Sequence, residues 1–189
     1  MIRDARPEDL SKMRGIEAAA GEVFRLVGMA AVADDPPPAL DALAVYQQDG
    51  RAWVATDSAD EPIAYILLGV VDRFAHIEQV TVHPRYALRG IGRTLIEEAA
   101  RWAGARGLHG LTLTTFEEVP WNAPYYRSLG FQQVPESQWS EGIRQIVQSE
   151  RDHVLAAWPR VVMQKAVTSS GSFPATATNR PNETQYLLT

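Results

Sequence analysis

The sequence predicts an α/β protein in which a mixed sheet carries helices on its faces. Three observations point there. Between residues 76 and 134 the chain alternates strand, helix, strand, helix, strand. The helical run at 91–105 places Ile91, Leu95, Ile96, Ala99, Trp102 and Ala103 on one stripe, the pattern of a helix with one buried face. Apolar runs of strand character also lie outside this alternation, at 51–72 and 160–167.

In chain order, "MIRDA" is a short first strand. A helix follows over 6–26, opened by Pro7 and two acidic residues, with Leu10, Met13 and Ile16 at helical spacing. Segment 33–50, "ADDPPPALDALAVYQQDG", is a proline-rich link into a short helix that ends near Gly50. "RAWVATD" and "PIAYILLGVVD" are two strands joined by the turn "SADEP". "HIEQVTV" (76–82) is the next strand, and Gly104 and Gly107 close the 91–105 helix. "LTLTTF" (111–116) is β-branched and aromatic, hence a strand. "NAPYYRSL" is a short helix with Asn122 at its N-cap and Pro124 in its first turn. "FQQV" and "RVVMQKAV" are late strands, with a helix at about 138–152 between them. Residues 168–189 are rich in Ser, Thr, Pro and Asn without periodicity, so a flexible tail is expected after a single domain over 1–167.

Composition narrows the function. Apolar residues make up 46% and charged residues 22% of the 189, as in ordinary globular proteins. A net charge of −5 argues against nucleic acid as a partner, because phosphate backbones need a basic face. There is no cysteine, which removes disulfides, thiolate metal sites and cysteine nucleophiles, and no metal site is expected. The N-terminus has no apolar core of a signal peptide, and "YILLGVV" is too short to cross a bilayer, so no membrane partner and a cytoplasmic location are expected.

The stretch "HPRYALRGIGRTL" (83–95) sets two glycines where a helix is about to start. A helix N-terminus presents unpaired N–H groups and partial positive charge, which suits a phosphate. Without Cβ atoms, Gly90 and Gly92 would let phosphate oxygens reach the amides of residues about 89–94. Arg89 and Arg93 add charge and Thr94 a hydroxyl. A tight strand-to-helix turn without ligand explains the glycines equally well. The dinucleotide fingerprint fails at Leu95, and a Walker loop fails at Ala87 and Arg93.

"VTVHPRYALRGIGRTLIEEAARWA" resembles the acetyl-CoA-binding motif of the GNAT superfamily of N-acyltransferases, and "NAPYYRSLGF" (122–131) resembles its second signature. The departure is Ala87, where the family usually has Gln or Arg; Arg85 or Arg89 is the expected substitute. The resemblance implies a central, mostly antiparallel sheet splayed between strands 4 and 5, with helices on both faces. It implies acetyl-CoA as acetyl donor, its pantetheine arm pairing with Gln79, Val80, Thr81 and Val82. The diphosphate would lie on Arg85 and on Leu88, Arg89, Gly90, Ile91, Gly92, Arg93 and Thr94. Asn122 would bond the cofactor's amides, and Tyr125 would pack beside it.

Acyl transfer to an amine needs the amine neutral, which for an alkylammonium at pH 7 costs about 4–5 kcal/mol. His76 and Glu78 lie two apart on one strand and share a face. The family carries a catalytic carboxylate or histidine at one of these positions, so Glu78 is the first choice as base and His76 the second. Tyr126 falls where the family's tyrosine protonates the departing thiolate. A main-chain N–H of the splayed strand, at Val80, would hold the oxyanion. The acceptor side is expected to include Phe24, Phe74, Thr115, Phe116, Glu117 and Trp121. The leading reading is an N-acetyltransferase for a small-molecule primary amine. The alternatives are a protein lysine or N-terminal acetyltransferase and a non-catalytic acyl-CoA-binding regulatory module. Many relatives form dimers, so a homodimer is allowed.

Overall fold

The computed structural model describes residues 1–151 and 157–167; the expected tail at 168–189 lies outside the described residues. Seven strands form one sheet: β1 (Ile2–Asp4), β2 (Ala52–Thr56), β3 (Pro62–Val71), β4 (Phe74–Val82), β5 (Gly110–Phe116), β6 (Gln132–Gln133) and β7 (Arg160–Ala166). Their order is β1-β2-β3-β4-β5-β7-β6, and only the β4–β5 pair is parallel. The helices are α1 (Leu10–Gly21), α2 (Ala30–Ala33), α3 (Leu40–Gln48), α4 (Ile91–Ala105), α5 (Ala123–Ser128) and α6 (Glu141–Arg151).

The first helix differs from expectation. Instead of one helix over 6–26, a 3-10 turn at Pro7–Asp9 leads into α1, and a second 3-10 segment, Glu22–Val27, ends at Gly28. Gly28 is left-handed, with φ 76°, which stops the chain where apolar periodicity alone would let it run on. The buried Asp9 fixes the start: it accepts from both Arg3 guanidinium nitrogens, at 2.6 and 3.1 Å, and from the Arg6 N–H at 2.7 Å. Helix α2 is unforeseen. Two smaller corrections concern helix ends. Gly104 lies inside α4, which ends before the left-handed Gly107. Asn122 sits at the N-cap of α5, but its side chain makes no capping hydrogen bond.

Both faces of the sheet are covered. On one, Leu95, Ile96, Ala99 and Ala103 of α4 pack with Tyr126 and with β4 residues Ala75, Ile77, Val80 and Val82. On the other, Leu10, Met13 and Ile16 of α1 and Leu43 of α3 pack on Val54, Tyr65 and Leu67. A third cluster joins the start of the chain to the end of β5: Phe24 meets Phe116 and Trp121 edge-on, at 5.7 and 5.9 Å, beside Met29 and Val119.

The sheet divides at its parallel pair. β4 and β5 are registered only at Ala75–Leu111 and His76–Thr112. Beyond that point β5 stays paired with β7 along its whole length, while β4 stays with β3. β4 also carries a bulge: Ile77 opposes Leu68 and Gln79 opposes Leu67, so Glu78 is the extra residue. The inward alternation accordingly jumps from Ala75 and Ile77 to Val80 and Val82. A bulge increases local twist and re-aims a side chain, and this one sits where the strands part.

Candidate functional site

A cavity of about 290 Å³ opens at the split. Its floor is β4 from His76 to Thr81 and the facing residues of β5, Leu113 to Phe116. Its roof comes from the start of the chain: Glu17 and Gly21 of α1, Phe24, Val32 and Ala33, and the Asp35-Pro36-Pro37 run. Asn122 and Tyr126 close one side, and Glu150 and Arg160 another.

Among the described residues, several polar groups facing this space have no protein partner. Glu17 Oε2 and Asn122 Oδ1 are buried without a hydrogen bond. Tyr126 is only 5% exposed, and among the described residues its hydroxyl has no partner. The buried Glu17 and Asn122 oxygens are costly unless a ligand satisfies them. Others are fixed. His76, 1% exposed, shares a hydrogen bond of 3.0 Å between Nδ1 and Thr112 Oγ1, and Gln79 donates to Thr81 Oγ1 at 2.7 Å. Arg160 binds Glu150 at 3.0 Å and donates to Thr114 Oγ1 at 3.0 Å, and Thr114 also bonds Glu150.

The electrostatics follow from this enclosure. Burial, with the Arg160 charge nearby, pushes His76 down to about 4, so its ring is neutral at pH 7. Partial desolvation and the Glu150 charge raise the Glu78 carboxyl above its usual value, although the residue as a whole stays exposed, and Arg51 opposes them. The Glu78 carboxylate lies across β3 at Gly69, where any Cβ would collide with it. Burial raises the Tyr126 phenol well above 10. It raises Glu17 from 4.5 to about 7, with Asp35 adding to the effect.

At the far end of β4 the chain turns through His83–Gly90 into α4. Leu88 and Gly90 are left-handed, with φ of 62° and 75°. The first helical bond runs from the Thr94 N–H to the Gly90 carbonyl at 3.1 Å, and among the described residues no main-chain N–H of 88–93 donates to a main-chain carbonyl. A Cβ built on Gly90 meets nothing within 4 Å, so the approach to these amides is open. Arg85, Arg89 and Arg93 lie in the same segment; Arg89 stacks over Tyr86 at 5.2 Å. Free amides at a helix start are the kind of arrangement that can hold an anion.

Residues 19–131 match the family model described as the acetyltransferase (GNAT) family. The chain belongs to the GNAT family. Solved structures similar to this GNAT protein show the same fold. The ribosomal-protein-S18-alanine N-acetyltransferase of Escherichia coli is 20% identical with a TM-score of 0.61, over 93% of this chain and 99% of that one. A PaiA N-acetyltransferase of Thermoplasma acidophilum in complex with coenzyme A is 17% identical with a TM-score of 0.62, over 88% and 98%. The N-acetylglutamate synthase of Neisseria gonorrhoeae, complexed with coenzyme A and N-acetyl-glutamate, is 14% identical with a TM-score of 0.66, over 89% of this chain and 35% of that one. The GNAT protein is thus an acyl-CoA-dependent transferase, and acetyl-CoA is the donor typical of its family. Among the described residues no helix is long and apolar enough to cross a membrane.

Of the residues singled out in the sequence, His76, Glu78, Gln79, Val80 and Thr81 line the cavity from β4. Phe24, Thr115, Phe116, Asn122 and Tyr126 line it from elsewhere. Val82 and the 85–94 loop continue from it along β4 into α4. Tyr125 packs edge-on against Tyr126 at 5.6 Å. Phe74, Glu117 and Trp121 do not line the cavity: Phe74 meets His109 at 5.6 Å, and Trp121 backs Phe24. Sequence reasoning missed Glu17, Asp35, Glu150 and Arg160. Glu17 and Glu150 sit on helices, Asp35 in a link and Arg160 at the start of β7; each is a charged residue that reads as solvated, and only the tertiary fold gathers them.

The raised Glu17 carboxyl has a measurable consequence. The folded chain holds this proton more tightly than the unfolded chain, so the stabilisation is complete below about pH 4.5 and is lost as pH rises towards 7. A displacement from 4.5 to about 7 corresponds to at most about 3 kcal/mol at ~1.36 kcal/mol per unit. Glu17→Gln is therefore expected to raise the melting temperature by several degrees at pH 8 and to leave it unchanged at pH 4, as read by thermal denaturation at both values.

Proposed function

We propose that the protein moves an acetyl group from acetyl-CoA to a primary amine of a small molecule, by direct attack within a ternary complex. The observation that carries this reading is the roofed cavity at the split, with an unpartnered Tyr126 hydroxyl on one wall and Glu78 on another. The roof of early helical segments supports a small acceptor over a peptide, which would need an open groove.

The residues present fit the cofactor. The unpaired stretch of β4, the orphaned Asn122 Oδ1 and the free amides of 88–93 answer the amide groups and the diphosphate of coenzyme A. Arg85, Arg89 and Arg93 supply the charge that Ala87 does not. Acetyl-CoA, when bound, supplies a thioester whose carbonyl carbon the amine attacks, forming C–N and breaking C–S. Glu78 takes the amine's proton through water, and the raised affinity for that proton suits a base working near neutrality. His76, with a pKa of about 4, is a weaker base and serves as a neutral neighbour held by Thr112. The main-chain N–H of Val80 faces the oxyanion. Tyr126 donates its phenolic proton to the departing sulfur, and among the described residues its hydroxyl has no competing partner.

Glu78→Gln is expected to lower kcat/KM by about 10²–10⁴ and to remove an ascending pH limb whose midpoint lies above 4.5. Gly69→Ala, which touches no substrate, is expected to lower kcat as well by displacing the Glu78 carboxylate. Steady-state rates across pH test both. For the reaction itself, thiol release from acetyl-CoA with a panel of small primary amines is expected to find an acceptor. Coenzyme A binding with no release on any amine would contradict the proposal.

A further inference from the structure

The charges around the cavity define its acceptor more closely. Among the described residues, four carboxylates line it, Glu17, Asp35, Glu78 and Glu150, against one guanidinium, Arg160, which is already paired with Glu150 at 3.0 Å. The carboxylates form two pairs on different walls. Glu17 of α1 and Asp35 after α2 interact at the roof, whereas Glu78 of β4 and Glu150 of α6 interact at the floor. Neither Glu17 nor Asp35 has a salt-bridge partner among the described residues, and one Glu17 oxygen is both buried and unbonded. Asp35 and Glu78 are exposed residues, whereas Glu17 is only partly exposed, and the same cavity is lined by Tyr126, a residue 5% exposed, and by the orphaned Asn122 oxygen. A buried carboxylate without a partner is destabilising unless a cation joins it.

We infer that the acceptor carries two cationic groups: the amine that reacts lies beside Glu78, and a second ammonium or guanidinium is held between Glu17 and Asp35 under the roof. The inference rests on the acetyltransferase reading for the identity of the reacting end, and on the roof pair alone for the second cation. Apolar surface from Phe24, Val32, Ala33 and Pro36 lies beside the roof pair and suits a methylene chain between the two charges. An α-amino acid fits poorly, because its carboxylate would enter a space already dominated by anions with its one cation engaged.

The test is isothermal titration calorimetry of the full chain, saturated with coenzyme A. The probes are α,ω-diaminoalkanes of increasing length, each compared with the 1-aminoalkane of the same chain. At one or more lengths the diamine is expected to bind at least about tenfold more tightly than its monoamine. Glu17→Gln combined with Asp35→Asn is expected to reduce that ratio to within about twofold. A ratio near one at every length, or a ratio that survives the double substitution, overturns the inference. Thermal denaturation of the double variant shows that it is folded, and the first substitution is expected to stabilise it at neutral pH. Failure of coenzyme A to bind in the first titration would instead count against the acetyltransferase reading, and the amine series, run on the chain alone, would still decide the second cation.

Discussion

Gly90→Glu is expected to raise the dissociation constant for coenzyme A at least about 100-fold while leaving the protein folded. The fold tolerates the change because a Cβ at Gly90 meets nothing within 4 Å. The cost is conformational: a non-glycine residue at φ 75° loses about 1–2 kcal/mol. Leu88 already occupies the same region two residues earlier, at φ 62°, so the chain supports one such residue in this turn. Binding has no such tolerance. The glutamate would stand beside the amides of 88–93 that donate to no carbonyl of the protein. Its charge would face a diphosphate at close range. Two like charges ~4 Å apart at an effective dielectric of ~20 repel by about 4 kcal/mol, which is nearly three orders of magnitude in affinity. Gly92→Asp, in the first turn of α4, makes the same point from the helix side. An acidic residue there complements the helix dipole, but Gly92 is buried, so the variant counts only where thermal denaturation shows it folded. Calorimetry for affinity and thermal denaturation for stability separate the two effects, and unchanged affinity in either variant would remove the loop as the diphosphate site.

Tyr126→Phe is expected to lower kcat by about 10²–10⁴ and to leave coenzyme A affinity within a few-fold. The substitution is unusually clean. The Tyr126 ring packs in the α4-side core and meets Phe131 edge-on at 5.6 Å, contacts that phenylalanine keeps. The hydroxyl has no partner among the described residues, so its removal breaks no hydrogen bond of the fold, and stability should hold or rise slightly. Burial keeps the phenol protonated throughout the working pH range, which an acid needs and a nucleophile would not. Equal turnover in the variant would remove Tyr126 as the proton donor. A fall in affinity instead of turnover would make it a binding residue.

Much of this was legible in the chain because local rules carried it. The stripe from Ile91 to Ala103 specified α4, and the glycines ahead of it marked a bare helix start. Strand alternation put His76 and Glu78 on one face, the family resemblance singled out these two and Tyr126, and all three line one cavity. What escaped depended on tertiary structure. No local signal marks Glu78 as a bulged residue, because the extra position exists only relative to Leu67 and Leu68 of the neighbouring strand. Gly69 reads as an ordinary interruption of "YILLGVV", yet it leaves room for the Glu78 carboxylate. The insertion of β7 between β5 and β6 is a long-range pairing that periodicity does not encode. Glu17, at i+4 from Met13 and i+7 from Leu10, borders the buried stripe of α1, but its charge reads as solvent-facing until the Asp35 link is seen across the cavity from it.

The claim on which the rest depends is that the amides ahead of α4 hold the diphosphate of coenzyme A and direct its arm into the split sheet. A crystal structure of the protein soaked with coenzyme A tests it most directly. The account predicts phosphate oxygens within hydrogen-bonding distance of main-chain N–H groups in residues 88–94 and the pantetheine arm between β4 and β5, with an amide on Asn122 Oδ1. Coenzyme A bound elsewhere, with this turn and the split both empty, would contradict it.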